Sequence, residues 1–258
     1  MLISIITINY NDVKGLERTM ESVLSQTFQD FEYIVIDGGS HDDSKELIEK
    51  NQEHIDYWVS EPDSGIYNAM NKGIKKAKGE YLFFLNSGDD FTEKYALKKV
   101  VKHLNGEGFV YFNINKIDGK NFAIKRPPEK LTFKYLHSDL PPHQSTFIKK
   151  DLFDKYGGYD ERLKIVADWK FLILALLKYN SSYKYVDAVY TNFYLGGISS
   201  LIANKPIMQK ERQAVLDSEF QILMNDLSEF FEQERTLSNL RNSKKLKLLV
   251  KLGMLNEF

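Results

Sequence analysis

The sequence predicts an α/β fold in which a mixed, mostly parallel central sheet is flanked by helices and followed by a C-terminal helical extension. Three observations support this prediction. Apolar runs alternate with segments of helical periodicity throughout residues 1–90, as in parallel βαβ units with right-handed crossovers. Each of four apolar runs in this part of the chain stops abruptly at polar or acidic residues. From Pro206 onward the pattern is that of helix alone.

The first 90 residues are predicted to contain four strands and three helices. The strands are Leu2–Ile8, Phe31–Ile36, Tyr57–Val59 and Tyr81–Leu85. The helices are Lys14–Ser25, a segment opened by the cap-forming residues Ser40 to Asp43, and Ile66–Lys76.

The alternation changes after Asp90. Further helices are predicted at Glu93–Leu104, Asp151–Lys155 and Trp169–Tyr179, and further strands at Phe109–Ile114, Gln144–Ile148 and Tyr183–Tyr194. The helix that follows Asp168 is apolar nearly all round, so we expect it to be buried.

Composition narrows the classes of function. The 258 residues suffice for one large domain with a small appendage. The 35 basic and 36 acidic residues nearly cancel, so no global field indicates nucleic acid as a partner. The chain has no cysteine, which excludes disulfides and thiolate metal sites and is typical of a cytoplasmic protein. No signal peptide or bilayer-spanning apolar stretch is evident.

Polar residues follow each of the first four strands. The strand ends carry Asn9-Tyr10-Asn11, Asp37-Gly38-Gly39, Ser60-Glu61-Pro62-Asp63 and Asn86-Ser87-Gly88-Asp89-Asp90. The carboxyl ends of parallel strands line the crevice in which ligands bind. Carboxylates suit Mg²⁺ or Mn²⁺, and neighbouring glycines allow close approach to the backbone. We therefore expect a site for a phosphorylated, metal-bound ligand.

Each of these segments also has an ordinary structural interpretation. Asn86 to Asp90 could form a turn that caps a helix, and Asp37-Gly38 could be a hairpin turn. Asp63 or Ser64 could cap the next helix, with Asn71 and Lys72 in solvent.

Two further candidates lie in the second half of the chain. Asp168 precedes an apolar helix, where it could act as a general base or simply as the N-cap. His143 and Gln144 follow two prolines and could hydrogen-bond a substrate, although a lone histidine is more often structural. The histidines show no metal-ligand spacing, so zinc is not expected.

The order of these motifs closely resembles family 2 glycosyltransferases with the GT-A (Rossmann-like) fold, including those that build bacterial surface polysaccharides. The resemblance covers about residues 1–200. It is carried by strand-Tyr-Asn, Asp37-Gly38-Gly39-Ser40, Asp63-Ser64-Gly65-Ile66-Tyr67, Leu85-Asn86-Ser87-Gly88-Asp89, Pro142-His143-Gln144-Ser145, Gly157-Gly158-Tyr159-Asp160-Glu161 and Ala167-Asp168-Trp169. Residues 1–204 are thus predicted to be the glycosyltransferase domain, and residues 205–258 the helical extension.

The resemblance implies an inverting transfer from a nucleotide-sugar donor, usually UDP-linked, with a divalent cation as cofactor. Its acceptor would be a glycan or a lipid-linked saccharide. Carried over by position, Tyr10 would stack on the donor base, Asp37 would hydrogen-bond it, and Asp63 would lie in the nucleotide pocket. Asn71 would support the donor loop, and Asp89 would bind the metal. Asp168 would deprotonate the acceptor, and His143 and Gln144 would contact the acceptor side.

Two departures from the family pattern affect these roles. The usual Asp-x-Asp reads Asn86-Ser87-Gly88-Asp89, which leaves Asn86 as a donor-binding residue and makes Asp90 a rival of Asp89 for the metal. A basic residue of the donor loop is replaced by Met70, so charge neutralisation of the diphosphate would depend on the metal or on Lys72.

Two other functions remain open at this point. A sugar-phosphate nucleotidyltransferase uses a related core, but the chain lacks a Gly-rich N-terminal loop with Arg and Lys. A catalytically silent nucleotide-binding scaffold is the second alternative, because the metal signature is altered.

The C-terminal segment offers a partner of another kind. Its lysines interleave with leucines between Arg241 and Lys251, as in helices that lie on anionic lipid. Packing of this helix on the core and homodimerisation are the alternatives. Membrane contact would place the protein at the inner face of the cell membrane.

Overall fold

The computed structural model describes residues 1–197 and 200–256. Its strands are β1 Ile3–Asn9, β2 Phe31–Asp37, β3 Tyr57–Ser60, β4 Tyr81–Phe84, β5 Asp90–Phe91, β6 Phe109–Asp118, β7 Asn121–Lys125, β8 Thr146–Lys149 and β9 Tyr183–Tyr194. Its α-helices are α1 Val13–Leu24, α2 Ser44–Lys50, α3 Ile66–Lys76, α4 Ala96–Val100, α5 Phe133–Ser138, α6 Lys150–Tyr156, α7 Ala167–Ile173, α8 Lys205–Glu219, α9 Gln221–Asn242 and α10 Lys244–Lys251.

Within the described residues the nine strands form one mixed sheet in the order β3-β2-β1-β4-β8-β6-β9-β5, with β7 paired to β6. β3, β2, β1 and β4 are mutually parallel, as are β6 and β9. β8 runs antiparallel to both of its neighbours. The predicted fold class, a mixed and mostly parallel sheet flanked by helices with further helices at the C-terminus, is confirmed.

The register of the parallel strands brings the polar strand ends together. Asn9 of β1 pairs with Asp37 of β2, and Asp37 pairs in turn with Ser60 of β3. All seven residues of β1 are buried, so this strand is covered on both faces and its end is fixed in place. The two Asp37 pairings also show that the hairpin interpretation of Asp37-Gly38 is wrong, because β2 is followed by a helix and a parallel strand.

Aromatic packing holds the middle of the sheet. The ring of Phe83 stacks on Phe147 at a centroid distance of 4.3 Å and on Phe91 at 5.6 Å. These three residues come from β4, β8 and β5, so the stack joins the parallel half of the sheet to its antiparallel strand.

Some elements differ from the prediction. The helix predicted at Glu93–Leu104 is shorter, since only Ala96–Val100 is α-helical and a 3₁₀ turn follows. The helix predicted at Trp169–Tyr179 begins at Ala167 and becomes a π-helical turn at Leu174–Lys178. β5, β7 and α5 are too short for a periodic sequence signal, and none of them was predicted.

The chain divides into two compact units, the first covering Met1–Met208 and the second beginning at Gln209. The boundary between residues 204 and 205 stays a prediction. None of the helices in the described part of the chain combines the length and the apolarity that a bilayer-spanning segment requires.

Candidate active site

A cavity of about 970 Å³ opens where β1, β2 and β4 end. Its wall continues through the start of α3, the 3₁₀ turn at residues 143–145, the start of α7 and the end of β9. Such a volume suits a ligand the size of a nucleotide cofactor.

Most of the site residues predicted from the sequence line this cavity. They are Tyr10, Asp63, Asn86, Asp89, His143, Gln144 and Asp168. The side chains of Asp37 and Asn71 are not part of the lining.

Asp37 lies beneath the cavity wall as the centre of a hydrogen-bond network. Its Oδ1 accepts from Asn9 Nδ2 at 2.8 Å and from Ser40 Oγ at 2.6 Å. Its Oδ2 accepts from the Ser40 backbone N–H at 3.0 Å and from Ser60 Oγ at 2.7 Å. Burial alone would raise the pKa of Asp37, but these donors more than offset it and lower the pKa. The four internal donors fill the four acceptor positions of the carboxylate.

Tyr10 is the exposed aromatic residue at the rim, with 63% of its surface accessible. Gly38 lies directly beneath it, and a Cβ there would come within 3.2 Å of the Tyr10 ring and 3.0 Å of an Asp63 carboxylate oxygen. A side chain at position 38 would therefore crowd both Tyr10 and Asp63.

Asp63 is held by an ion pair. Lys72 Nζ lies 2.5 Å from Asp63 Oδ1 and 2.8 Å from Glu61 Oε1. Burial alone would lower the pKa of Lys72, but the two carboxylates more than offset this effect and raise the pKa above its usual value. The ammonium therefore stays charged. Lys72 thus fixes the 61–63 segment and is not part of the cavity lining.

Asn71 is buried and connects α3 to the loop that precedes α7. Its Nδ2 donates to the Tyr159 carbonyl and to Glu161 Oε1, and its Oδ1 accepts from the Tyr159 N–H at 2.8 Å. The interpretation of Asn71 as a solvated residue is therefore wrong. Its contacts are with the loop at residues 159–161.

Asp168 faces the cavity between two hydrogen-bonding side chains. Tyr67 Oη donates to its Oδ1 at 2.8 Å, and His143 Nδ1 lies 3.5 Å from its Oδ2. Burial alone would raise the pKa of Asp168, but His143 and Tyr67 more than offset it and lower the pKa. The carboxylate is thus kept ionised. Asp168 is the second residue of α7, whose N-cap is Val166, so the N-cap interpretation is wrong.

Asn86 contacts the other side of the same histidine. Its Nδ2 lies 3.3 Å from His143 Nε2. With the Asn86 amide as donor, Nε2 accepts and the Nδ1 proton points to Asp168. The Asn86 Oδ1 atom is buried and has no hydrogen-bond partner in the part of the chain that the structure describes. A buried carbonyl oxygen at a cavity wall is a suitable ligand for a hard cation.

Asp89 and Asp90 point in different directions. Asp89 is 5% exposed, lines the cavity, and accepts from the Tyr194 backbone N–H at 3.1 Å. Burial raises its pKa to about 7. Asp90 instead accepts from Asn192 Nδ2 at 2.6 Å and from Tyr194 Oη at 3.2 Å, and it is not part of the lining.

The side chains of Asp89 and Asn86 fit a divalent cation whose remaining ligands come from a bound anion. Within residues 1–197 and 200–256, no three carboxylate or imidazole side chains converge as a complete metal cage would require. Asp89 supplies a buried carboxylate whose pKa stays raised by burial despite its hydrogen bonds, and Asn86 supplies a neutral oxygen that has no partner among the described residues. Mg²⁺ is commonly bound by one or two protein carboxylates together with substrate phosphates.

Sequence reasoning missed several cavity residues. Tyr67 belongs to one of the sequence motifs, but the motif does not predict that its hydroxyl contacts Asp168. Arg18 also lines the cavity; it donates to the Gly88 carbonyl and stacks on the Tyr194 ring at 4.3 Å. Asp12 lines the cavity and caps α1 through Gly15. A cap signal before α1 could have found Asp12, but no local pattern marks Arg18.

Comparison with known proteins identifies the family. The model of glycosyl transferase family 2 matches residues 4–159, more than half of the chain. The chain belongs to this family. It is 38% identical over 180 residues to an uncharacterized glycosyltransferase of Mycobacterium tuberculosis, covering 68% of this chain and 69% of that protein. It is 28% identical over 221 residues to a PGL/p-HBAD biosynthesis glycosyltransferase of Mycobacterium bovis, covering 81% of this chain and 83% of that protein.

Solved structures share the fold. TarS 1-349 of S. aureus in complex with UDP-GlcNAc superimposes with a TM-score of 0.65 at 19% identity, covering 88% of this chain and 73% of that chain. The mannosyltransferase PcManGT of Pyrobaculum calidifontis, in complex with GDP-Man and Mn²⁺, gives a TM-score of 0.57 at 14% identity, covering 96% and 83%. The predicted family and its GT-A fold are thereby confirmed.

Proposed function

We propose that this glycosyltransferase moves a sugar from a nucleotide-diphosphate donor, a UDP-sugar, to a hydroxyl group of a glycan or lipid-linked acceptor, with inversion at the anomeric carbon. One observation carries the proposal. Asp89 and Asp168 line the same cavity, and His143 lies between Asp168 and Asn86, which is three residues before Asp89. Inversion by in-line displacement needs one group at the leaving diphosphate and another at the attacking hydroxyl, and this cavity offers both.

Asp168 is the proposed general base. It is ionised because Tyr67 and His143 lower its pKa, and the same two contacts fix the orientation of its carboxylate. It would take the proton from the acceptor hydroxyl as the oxygen attacks C1. A positioned base typically contributes about 10²–10⁴-fold to the rate.

Asp89 and the Asn86 carboxamide oxygen are the proposed protein ligands of the cation. A divalent ion bound there would stabilise the negative charge that develops on the departing diphosphate. We assign Arg18 to the same negative charge of the diphosphate, because its guanidinium is held at the cavity by Gly88 and Tyr194. Lys72 is already paired with Glu61 and Asp63.

The donor base is proposed to stack on the exposed ring of Tyr10, beside Asp63. A hydrogen bond from the base to Asp37 requires the Ser40 or Ser60 hydroxyl to turn away, because all acceptor positions of that carboxylate are filled. His143 and Gln144 are assigned to the acceptor side, where they adjoin Asp168 and Asp89 respectively.

Nucleotide binding and turnover can be tested without knowing the acceptor. UDP-, GDP- and dTDP-sugars are screened for thermal stabilisation with and without Mn²⁺, since a ligand that binds the folded state raises its stability by mass action. Nucleotide release is then measured with mixed saccharide acceptors. We expect stabilisation by UDP-sugars that depends on Mn²⁺. Stabilisation that is equal with and without the cation would contradict the metal assignment, and a preference for GDP- or dTDP-sugars would contradict the donor assignment.

A further inference from the structure

We infer that the basic patch formed by the end of α9, by α10 and by the residues after α10 binds the surface of an anionic phospholipid bilayer. The basic patch is defined by the cationic residues Arg241, Lys244, Lys245, Lys247 and Lys251 and the apolar residues Leu248, Leu252, Met254 and Leu255. All nine residues are exposed. Within residues 241–256 these five cations are accompanied by no acidic residue.

The two faces of α10 differ in accessibility. Leu246, Leu249 and Val250 are half-buried, and α10 packs against α9 within the same compact unit. The lysines of α10 are exposed. One apolar face of the helix is therefore partly covered, whereas the leucines on the other side are exposed.

Exposed leucines lie among the exposed lysines. Leu248 is 56% exposed, Leu252 is 62% exposed, and Met254 and Leu255 extend the apolar surface beyond the end of the helix. Polar residues are usual on the exposed face of a helix that packs only on its own unit. Large apolar side chains surrounded by basic residues are the composition that lies at a lipid headgroup boundary.

The positive charge of the basic patch indicates an anionic lipid surface as its binding partner. Five cations attract a negatively charged leaflet, and the apolar side chains then insert between the headgroups. A second copy of the same patch would bring ten like charges together. The inference concerns adsorption to a surface, and it does not depend on the reaction proposed for the cavity.

Co-sedimentation with vesicles tests the inference on the full-length protein. Binding is compared on neutral phosphatidylcholine vesicles and on vesicles containing phosphatidylglycerol, at low and physiological salt. We expect binding to the anionic vesicles only, weakened by salt because the charges are exposed. Lys244→Gln/Lys247→Gln should lower the partition coefficient by roughly fivefold for each lysine removed.

Apolar insertion is tested by Leu248→Ser/Leu252→Ser. The matched control is Ile222→Ser, because Ile222 is 81% exposed on α9, outside the basic patch. Circular dichroism verifies that both variants fold. We expect the leucine variant to lose binding and the Ile222 variant to retain it. Absence of binding to anionic vesicles at low salt would overturn the inference. Unchanged binding of the leucine variant, or a wild-type dimer that the lysine and leucine substitutions dissociate, would overturn it as well.

Discussion

The phenolic hydroxyl of Tyr67 donates a 2.8 Å hydrogen bond to the carboxylate of Asp168, which lies 101 residues further along the chain. This contact joins the first turn of α3 to the first turn of α7 across the cavity. Because His143 lies on the other oxygen of Asp168, the proposed base is oriented from both sides. Its low pKa follows from these two neighbours.

Tyr67→Phe should move the acid limb of the pH–rate profile to higher pH. Asp168 acts only when ionised, so activity falls as the pH drops through its pKa. Loss of the Tyr67 donor raises that pKa, and a hydrogen bond to a charged group corresponds to a shift of about one pH unit or more. The measurement is kcat/KM against pH. Tyr185→Phe removes a tyrosine hydroxyl that contacts Asn113 away from the cavity, and it should leave the limb in place. An unshifted limb in Tyr67→Phe would contradict the role of this contact.

The rival carboxylates Asp89 and Asp90 can be separated by a matched pair of variants. Asp89→Asn should abolish the additional thermal stabilisation that Mn²⁺ gives with a UDP-sugar. Asp90→Asn should preserve it, because Asp90 is turned towards Asn192 and Tyr194. The reverse result would assign the cation to Asp90.

Asn86→Asp should tighten cation binding. Within residues 1–197 and 200–256 the buried Oδ1 of Asn86 has no hydrogen-bond partner, and a carboxylate there adds a charged oxygen ligand near Asp89. We expect the Mn²⁺ concentration for half-maximal nucleotide release to fall by about tenfold, a typical effect of altering a metal's immediate environment. Asn105→Asp introduces the same charge on an exposed loop and should have no effect. An unchanged or higher Mn²⁺ requirement in Asn86→Asp argues against Asn86 as a ligand.

Asp37→Asn should destabilise the fold. An amide has a single acceptor oxygen and can accept only two of the four hydrogen bonds that the carboxylate receives, so the free energy of unfolding should fall by about 2–4 kcal/mol. Because the pKa of Asp37 is lowered in the folded state, its stabilisation is fully present above the unfolded-state pKa. That stabilisation is lost as the pH falls through the folded-state pKa.

Urea denaturation at several pH values provides the measurement. The difference between wild type and Asp37→Asn should shrink as the solution is made acidic. Asp154→Asn serves as the control, since Asp154 is an exposed partner of Lys150 and should cost little at any pH. A difference that stays constant down to acid pH would show that the charge of Asp37 does not stabilise the fold.

The sequence predicted the elements whose signal is local and periodic. β1, β2 and α3 were predicted to within one or two residues, because apolar runs and helical periodicity mark them directly. The two-residue strand β5 has no such signal, since it exists only through pairing of Asp90 and Phe91 with β9. Likewise, β7 is defined by its pairing with β6 and not by its own composition.

The site was predictable to a similar degree. Polar residues at the ends of parallel strands must lie near one another, so the sequence could place Asn86 and Asp89 at one crevice. The partners of each side chain depend on long-range packing instead. The sequence alone could not show that Asp37 is occupied by internal donors or that Tyr67 reaches Asp168, because these contacts join distant elements.

The most direct test of the central claim is the rate of sugar transfer by Asp168→Asn at saturating donor and Mn²⁺. We expect turnover to fall by at least about 10²-fold, because the acceptor hydroxyl loses its base, while donor binding measured by thermal shift is unchanged. Asp154→Asn should transfer at the wild-type rate. Wild-type turnover by Asp168→Asn would contradict the account, since the cavity would then deprotonate its acceptor without this carboxylate.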